Sequence, residues 1–159
     1  MMKAAVACAA ALVLLGGCIF VRVRDTGPDT AASLRSGLVT ATCDAPVADG
    51  AAIVATPVAT SPIADAPGKT MTAVRLDAPP GAKANPHKHA GIAFVHVLEG
   101  AICSQIAGDT ALKAYSAGDA FFEPPGSRHL GFTNPTASPA KVLATFVANT
   151  GDTLTSPLQ

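Results

Sequence analysis

Tryptophan is absent from this chain, tyrosine occurs once and phenylalanine six times, so any core it builds is filled mainly by aliphatic side chains. Charge is scarce as well. Charged residues make up 14% of the sequence, 11 basic against 11 acidic, and they form neither a basic stripe nor a long run of one sign. Nucleic-acid binding therefore has no electrostatic footing. Glutamate is confined to Glu99 and Glu123. No internal repeat is visible. The apolar stretch Ala4 to Leu15 is too short to span a bilayer comfortably. What abounds is punctuation: 13 prolines and 14 glycines separate short apolar runs, a pattern that favours strands and turns. The 159 residues suffice for one domain of ordinary size.

The N-terminus reads as a targeting segment and stays out of the fold. Lys3 supplies a short positive region, Ala4 to Leu15 the apolar region, and Leu15-Gly16-Gly17-Cys18 follows. This ending resembles a bacterial lipobox, which implies that residues 1–17 are a lipoprotein signal peptide and that Cys18 is lipidated. Ile19, rather than an aspartate, follows Cys18. By resemblance to Gram-negative sorting, that implies an outer-membrane lipoprotein facing the periplasm, bound to the membrane through its lipid anchor only. Residues 18–50 read as a tether, and its part from Asp25 to Gly50, rich in Ala, Thr, Asp, Gly and Pro, has a reach of roughly 25–30 Å if flexible. Cys43 and Cys103 would then sit in an oxidising compartment, where a disulfide between them can persist. Two free buried thiols are the alternative, because pairing depends on geometry.

From residue 51 onward, apolar runs alternate with turn signals. Strands are expected at Ile53–Val58, Thr70–Leu76, His87–His89, Gly91–Leu98, Ala101–Ile106, Ala111–Tyr115, Ala120–Glu123, His129–Phe132 and Lys141–Ala148. Strands at this spacing fit an all-β, double-sheet jelly roll. The domain is placed at 51–150, and 151–159 is expected to be a loose C-terminal tail.

Two motifs carry the chemistry: Pro86-His87-Lys88-His89 running to Leu98-Glu99-Gly100, and Gly118 running through Pro124, Gly126 and His129 to Asn134. A His-x-His pair on a strand points both rings to one side, since side chains alternate. Two such imidazoles can reach one ion at about 2.0–2.1 Å. His129, from a neighbouring strand, would add a third and leave positions open. The motifs resemble the two signature motifs of the cupin superfamily, which implies a double-stranded β-helix, or jelly-roll, barrel with a metal held by His87, His89 and His129. His87, His89, Gly100, Gly118, Pro124, Gly126 and His129 fall in register, while Asn134 sits one place late.

One departure matters: the family glutamate falls at position 93, where this chain has Ala93. If Ala93 faces the interior, so do Val95 and Val97, and His96 faces the other way. Glu123 is a candidate substitute ligand, or a hydrogen-bond partner for a ligand histidine. A solvated strand-end carboxylate is the plainer alternative. Gln105 either lines the cavity in a similar supporting role or is exposed. Gly100, Gly118 and Gly126 are expected in turns needing positive φ.

Three neutral imidazoles leave a divalent ion its full charge, which favours a small anionic chelating organic ligand. Imidazole ligation suits iron, zinc, nickel, copper or manganese without selecting among them. Two function classes follow. One is a metal-dependent enzyme, resembling the cupin dioxygenases that lack the motif glutamate. The other is a non-catalytic cupin binding a metal or small ligand at the cell envelope. The resemblance also implies a homodimer paired through its sheets, with His96 and its outward neighbours as contact residues.

Overall fold

A computed structural model describes residue 39, residues 41–44 and residues 50–158. The expected signal peptide, Cys18 and most of the tether lie outside the described residues. Among the described residues, eleven strands follow in chain order. They are β1 (Val54–Pro62), β2 (Lys69–Ala78), β3 (Lys83–Ala84), β4 (His87–His89), β5 (Ile92–Glu99) and β6 (Ala101–Ile106). Then come β7 (Lys113–Ser116), β8 (Ala120–Glu123), β9 (Arg128–Thr133), β10 (Ala140–Asn149) and β11 (Thr155–Pro157). Two antiparallel sheets result. One has the order β1-β2-β10-β5-β8, the other β11-β4-β9-β6-β7, with β3 paired to β9. This is the all-β double-stranded β-helix expected from the sequence.

The sheets close on a core of small side chains, as the scarcity of aromatics requires. Ala93, Val95 and Val97 of β5 are buried, and Ala140, Val142, Ala144 and Phe146 of β10 meet them from the neighbouring strand. Alternation sets the opposite face: Ile92, Phe94 and Leu98 remain exposed, and half-buried His96 shares their side with its ring 6.3 Å from that of Phe94.

Gly100 turns β5 into β6 with φ at +72°, and a Cβ there would lie 2.6 Å from the Pro139 carbonyl oxygen. Left-handed backbone and close approach together select glycine. Asn134, one place late in its motif, is fully buried and works as a knot. Its Nδ2 donates to the carbonyls of Ala78 at 2.8 Å and Ser138 at 2.9 Å. Its Oδ1 accepts from the Thr136 backbone N–H at 3.0 Å and hydroxyl at 2.8 Å.

One part of the molecule differs from expectation. The C-terminal segment is not loose through its length, because β11 pairs with β4 in the register Thr155↔His89. The open question about the cysteines is answered by a disulfide between Cys43 and Cys103, with the Cα atoms 5.6 Å apart. Closing a 60-residue separation in this way stabilises the fold by about 4 kcal/mol in the chain-entropy picture.

Candidate metal centre

Strand register gathers the three histidines. His87 and His89 project from the same side of β4, and His87 lies directly opposite His129 on β9. A bulge in β9 helps. Gln105 of β6 pairs with Gly131 and Ile106 with His129, so Leu130 has no partner across the ladder. The extra residue resets the alternation, letting His129 and Phe132 both face inward. The imidazole centroids of His87 and His129 are 4.8 Å apart, as are those of His87 and His89. Their candidate ligand atoms all fall within 4.8 Å of one another.

The contacts behind His87 and His89 assign their protons. His87 Nδ1 lies 2.7 Å from the Asn85 carbonyl oxygen, and His89 Nδ1 lies 3.1 Å from that of Leu154. A carbonyl only accepts, so both Nδ1 atoms carry hydrogen and both Nε2 atoms turn a lone pair toward the pocket. The Thr155 hydroxyl adds a second contact to His89 Nδ1 at 3.1 Å. His129 is held the other way round. Its Nε2 lies 2.9 Å from Ser104 Oγ, and its Nδ1 faces the pocket.

Glu123 completes the cluster. It is 1% exposed, so the solvated strand-end reading does not hold. Its Oε2 lies 3.1 Å from His89 Nε2 and its Oε1 3.4 Å from His129 Nδ1. Neither contact has hydrogen-bond alignment: Glu123 Oε2 and His129 Nδ1 are buried with no hydrogen-bond partner. An unsatisfied buried polar atom costs about 1–3 kcal/mol. A cation held among these atoms would satisfy both, so the donor set fits a metal ion.

Burial alone would raise the Glu123 carboxyl above its ordinary value. The neighbouring His89, His129 and His87 outweigh it and hold the group below 4.5. Burial pushes His129 below 6.5; His87 and His89 add to this, and the Glu123 carboxylate opposes it. Near neutrality the carboxylate is therefore ionised and the His129 imidazole neutral, the states in which each can bind a metal.

The three histidines and Glu123 line a cavity of about 780 Å³. Its walls are mostly apolar, with Val74, Leu76, Phe132 and Phe146 among them, and Lys83 also borders it. Gln105 is placed elsewhere. It follows Ser104 on β6, faces away from the cluster, and donates to the Asp109 carbonyl at 3.3 Å. His96 lies on the outer face of its sheet, as its strand parity implied. The supporting groups Ser104, Leu154 and Thr155 were not singled out from the sequence. Inward parity on β6 was the available signal for Ser104, and none marked the other two.

With this geometry in view, residues 74–146 match the family model of the cupin domain. That stretch of the barrel is similar to a cupin domain. A solved structure agrees in fold. An uncharacterised conserved protein with a double-stranded β-helix domain from Klebsiella pneumoniae is 18% identical, covering 70% of this chain and 89% of that one, with a TM-score of 0.55. An RmlC-like cupin from Shewanella frigidimarina is 26% identical, covering 54% and 80%, with a TM-score of 0.45. An oxalate decarboxylase mutant from Bacillus subtilis is 20% identical over 55% of this chain, with a TM-score of 0.49, and the match spans only 24% of that protein's length. No curated protein matches the sequence.

Proposed function

We propose that this cupin is an envelope-anchored protein that holds one divalent transition metal through His87, His89 and His129 and presents it to a small organic anion in the apolar cavity. The convergence of three imidazoles carries this reading, with two of their Nδ1–H groups committed to backbone carbonyls behind them. That arrangement fixes the tautomer and aims the lone pairs before any ion arrives. When bound, the metal supplies positive charge that polarises and orients an anionic ligand. The chain's own contribution is a rigid donor set and walls that exclude water.

Metal-stripped full-length protein reconstituted with Fe(II), Zn(II) or Mn(II) should take up close to one ion per chain, and His89→Ala should lose it. Negligible uptake, or uptake unchanged by that substitution, removes the reading. Oxygen consumption by the Fe(II) form with small diketones, thiols, catechols and hydroxy acids separates the oxygenase from the non-catalytic binding module.

The Leu15-Gly16-Gly17-Cys18 sequence supports the anchor, and the Cys43–Cys103 disulfide suits an oxidising compartment. Cys18→Ser should release the protein from the membrane fraction or block its processing. The exposed Ile92, Phe94, Leu98 and Phe122 support pairing of two copies through the outer face of the β5–β8 sheet. Light scattering that finds only monomer at micromolar concentration excludes such a pair.

A further inference from the structure

The position where the resembled family carries its glutamate and the carboxylate that lies beside the histidines are cross-strand partners. Ala93 of β5 pairs with Glu123 of β8. Both are buried on the inner face, at 0% and 1% exposure. Directly opposed residues of an antiparallel pair have Cβ atoms about 4.5–5.5 Å apart. A carboxylate rooted at either can therefore reach the same region of the barrel. The methyl group of Ala93 leaves the room that a larger side chain would take from Glu123.

Proton accounting sharpens the point. The Leu154 carbonyl holds the hydrogen of His89 on Nδ1, so His89 Nε2 faces Glu123 Oε2 with a lone pair at 3.1 Å. Two lone-pair atoms at that distance repel unless a cation, a proton or a metal ion, sits between them, and this pair lacks the alignment of a hydrogen bond. Glu123 Oε1 and His129 Nδ1, 3.4 Å apart, are likewise out of hydrogen-bond alignment. Donors sharing one ion through bonds of about 2.1 Å sit roughly 3.0–3.4 Å from each other, in octahedral or tetrahedral arrangement. The two Glu123–histidine separations fall in that range, and the three histidine donors lie within 4.8 Å of one another.

We infer that Glu123 is a fourth metal ligand, supplying from β8 the carboxylate that Ala93 cannot supply from β5. The inference rests on the three-histidine reading proposed above. It also revises the charge expected at the centre. A divalent ion among three neutral imidazoles and one carboxylate keeps a single positive charge, so a monoanionic ligand neutralises it.

The test uses full-length, metal-stripped protein titrated with Co(II), followed by calorimetry and by visible absorption, which reports the ligand set. Glu123→Gln keeps the side-chain shape. It should weaken Co(II) binding by about 10–100-fold and alter the spectrum. The exchange variant Ala93→Glu/Glu123→Ala should recover most of the affinity, a result that a merely structural Glu123 would not give. In the wild type, Co(II) should shift the infrared stretches of one carboxylate. Wild-type affinity and spectrum in Glu123→Gln overturn the inference and leave the three-histidine site standing. Absence of Co(II) binding by the wild type overturns both. If neither variant folds, the infrared measurement decides alone: a shift supports the fourth ligand, and no shift overturns it.

Discussion

The two walls of the metal pocket are built on different principles. On the histidine wall, β4 and β9 place their ligands by local means: a His-x-His spacing, a bulge at Leu130, and carbonyls or a hydroxyl behind each ring. On the carboxylate wall, β5 and β8 place Glu123 by cross-strand register, opposite Ala93. The first arrangement fixes each donor individually. The second fixes only the region a side chain must reach, so either strand of the pair can supply it. On the inference drawn above, residue identity is stringent on one wall and exchangeable on the other.

That contrast can be broken by measurement. The largest effect is expected from His89→Ala, which should weaken metal binding by more than about 100-fold, beyond the range typical of supporting residues. A loss no greater than that of Glu123→Gln by titration calorimetry would erase the distinction between the walls. Next comes the support behind His89. Ending the chain after Asp152 removes the Leu154 carbonyl and Thr155 hydroxyl, and should cost about 10–100-fold in metal affinity with the β-sheet circular dichroism retained. Unchanged affinity would mean that β11 does not orient the ring. Smaller again is Ser104→Ala, expected at about tenfold, since Ser104 steadies one ring through one contact.

The gentlest probe is pH applied to the metal-free protein. His129 is depressed below 6.5 in the fold, so on acidification the unfolded chain takes up that proton first. Its contribution to stability is complete above 6.5 and is lost as pH falls through the folded value. Glu123 is depressed below 4.5 and adds a second loss of the same sign in more acid solution. Urea midpoints should therefore fall in two stages on acidification, and saturating metal should hold them up through the first. A midpoint that rises between pH 7 and 5 would contradict the His129 environment described here.

Much of the barrel was legible because alternation and punctuation coincide. β4, β6 and β8 begin and end where glycines, prolines and apolar runs placed them, and the burial of Ala93 gives His96 its outward parity. β3, with 2 residues, and β11, with 3, were illegible because such short segments carry no period. Thr155-Ser156-Pro157 has no apolar residue to mark it as a strand beside the histidines. Glu123 was visible as a candidate, but its burial depends on which strand lies beside β5, and pairing is a long-range property. The same limit applied to Cys43 and Cys103, whose bond depends on the tether segment lying against β6.

That bond also determines where a mechanical load would enter the molecule. Cys103 lies on β6, flanked by β9 on one side and β7 on the other. Tension on the chain upstream of Cys43 therefore passes through the crosslink into the interior of a sheet. There it must shear strands on both sides, rather than peel one from a border. The border strand β1, which lines the cavity and follows Cys43 in the chain, is spared that tension. A protein pulled from its N-terminal side would thus deliver force to the interior of one sheet while β1 stays slack.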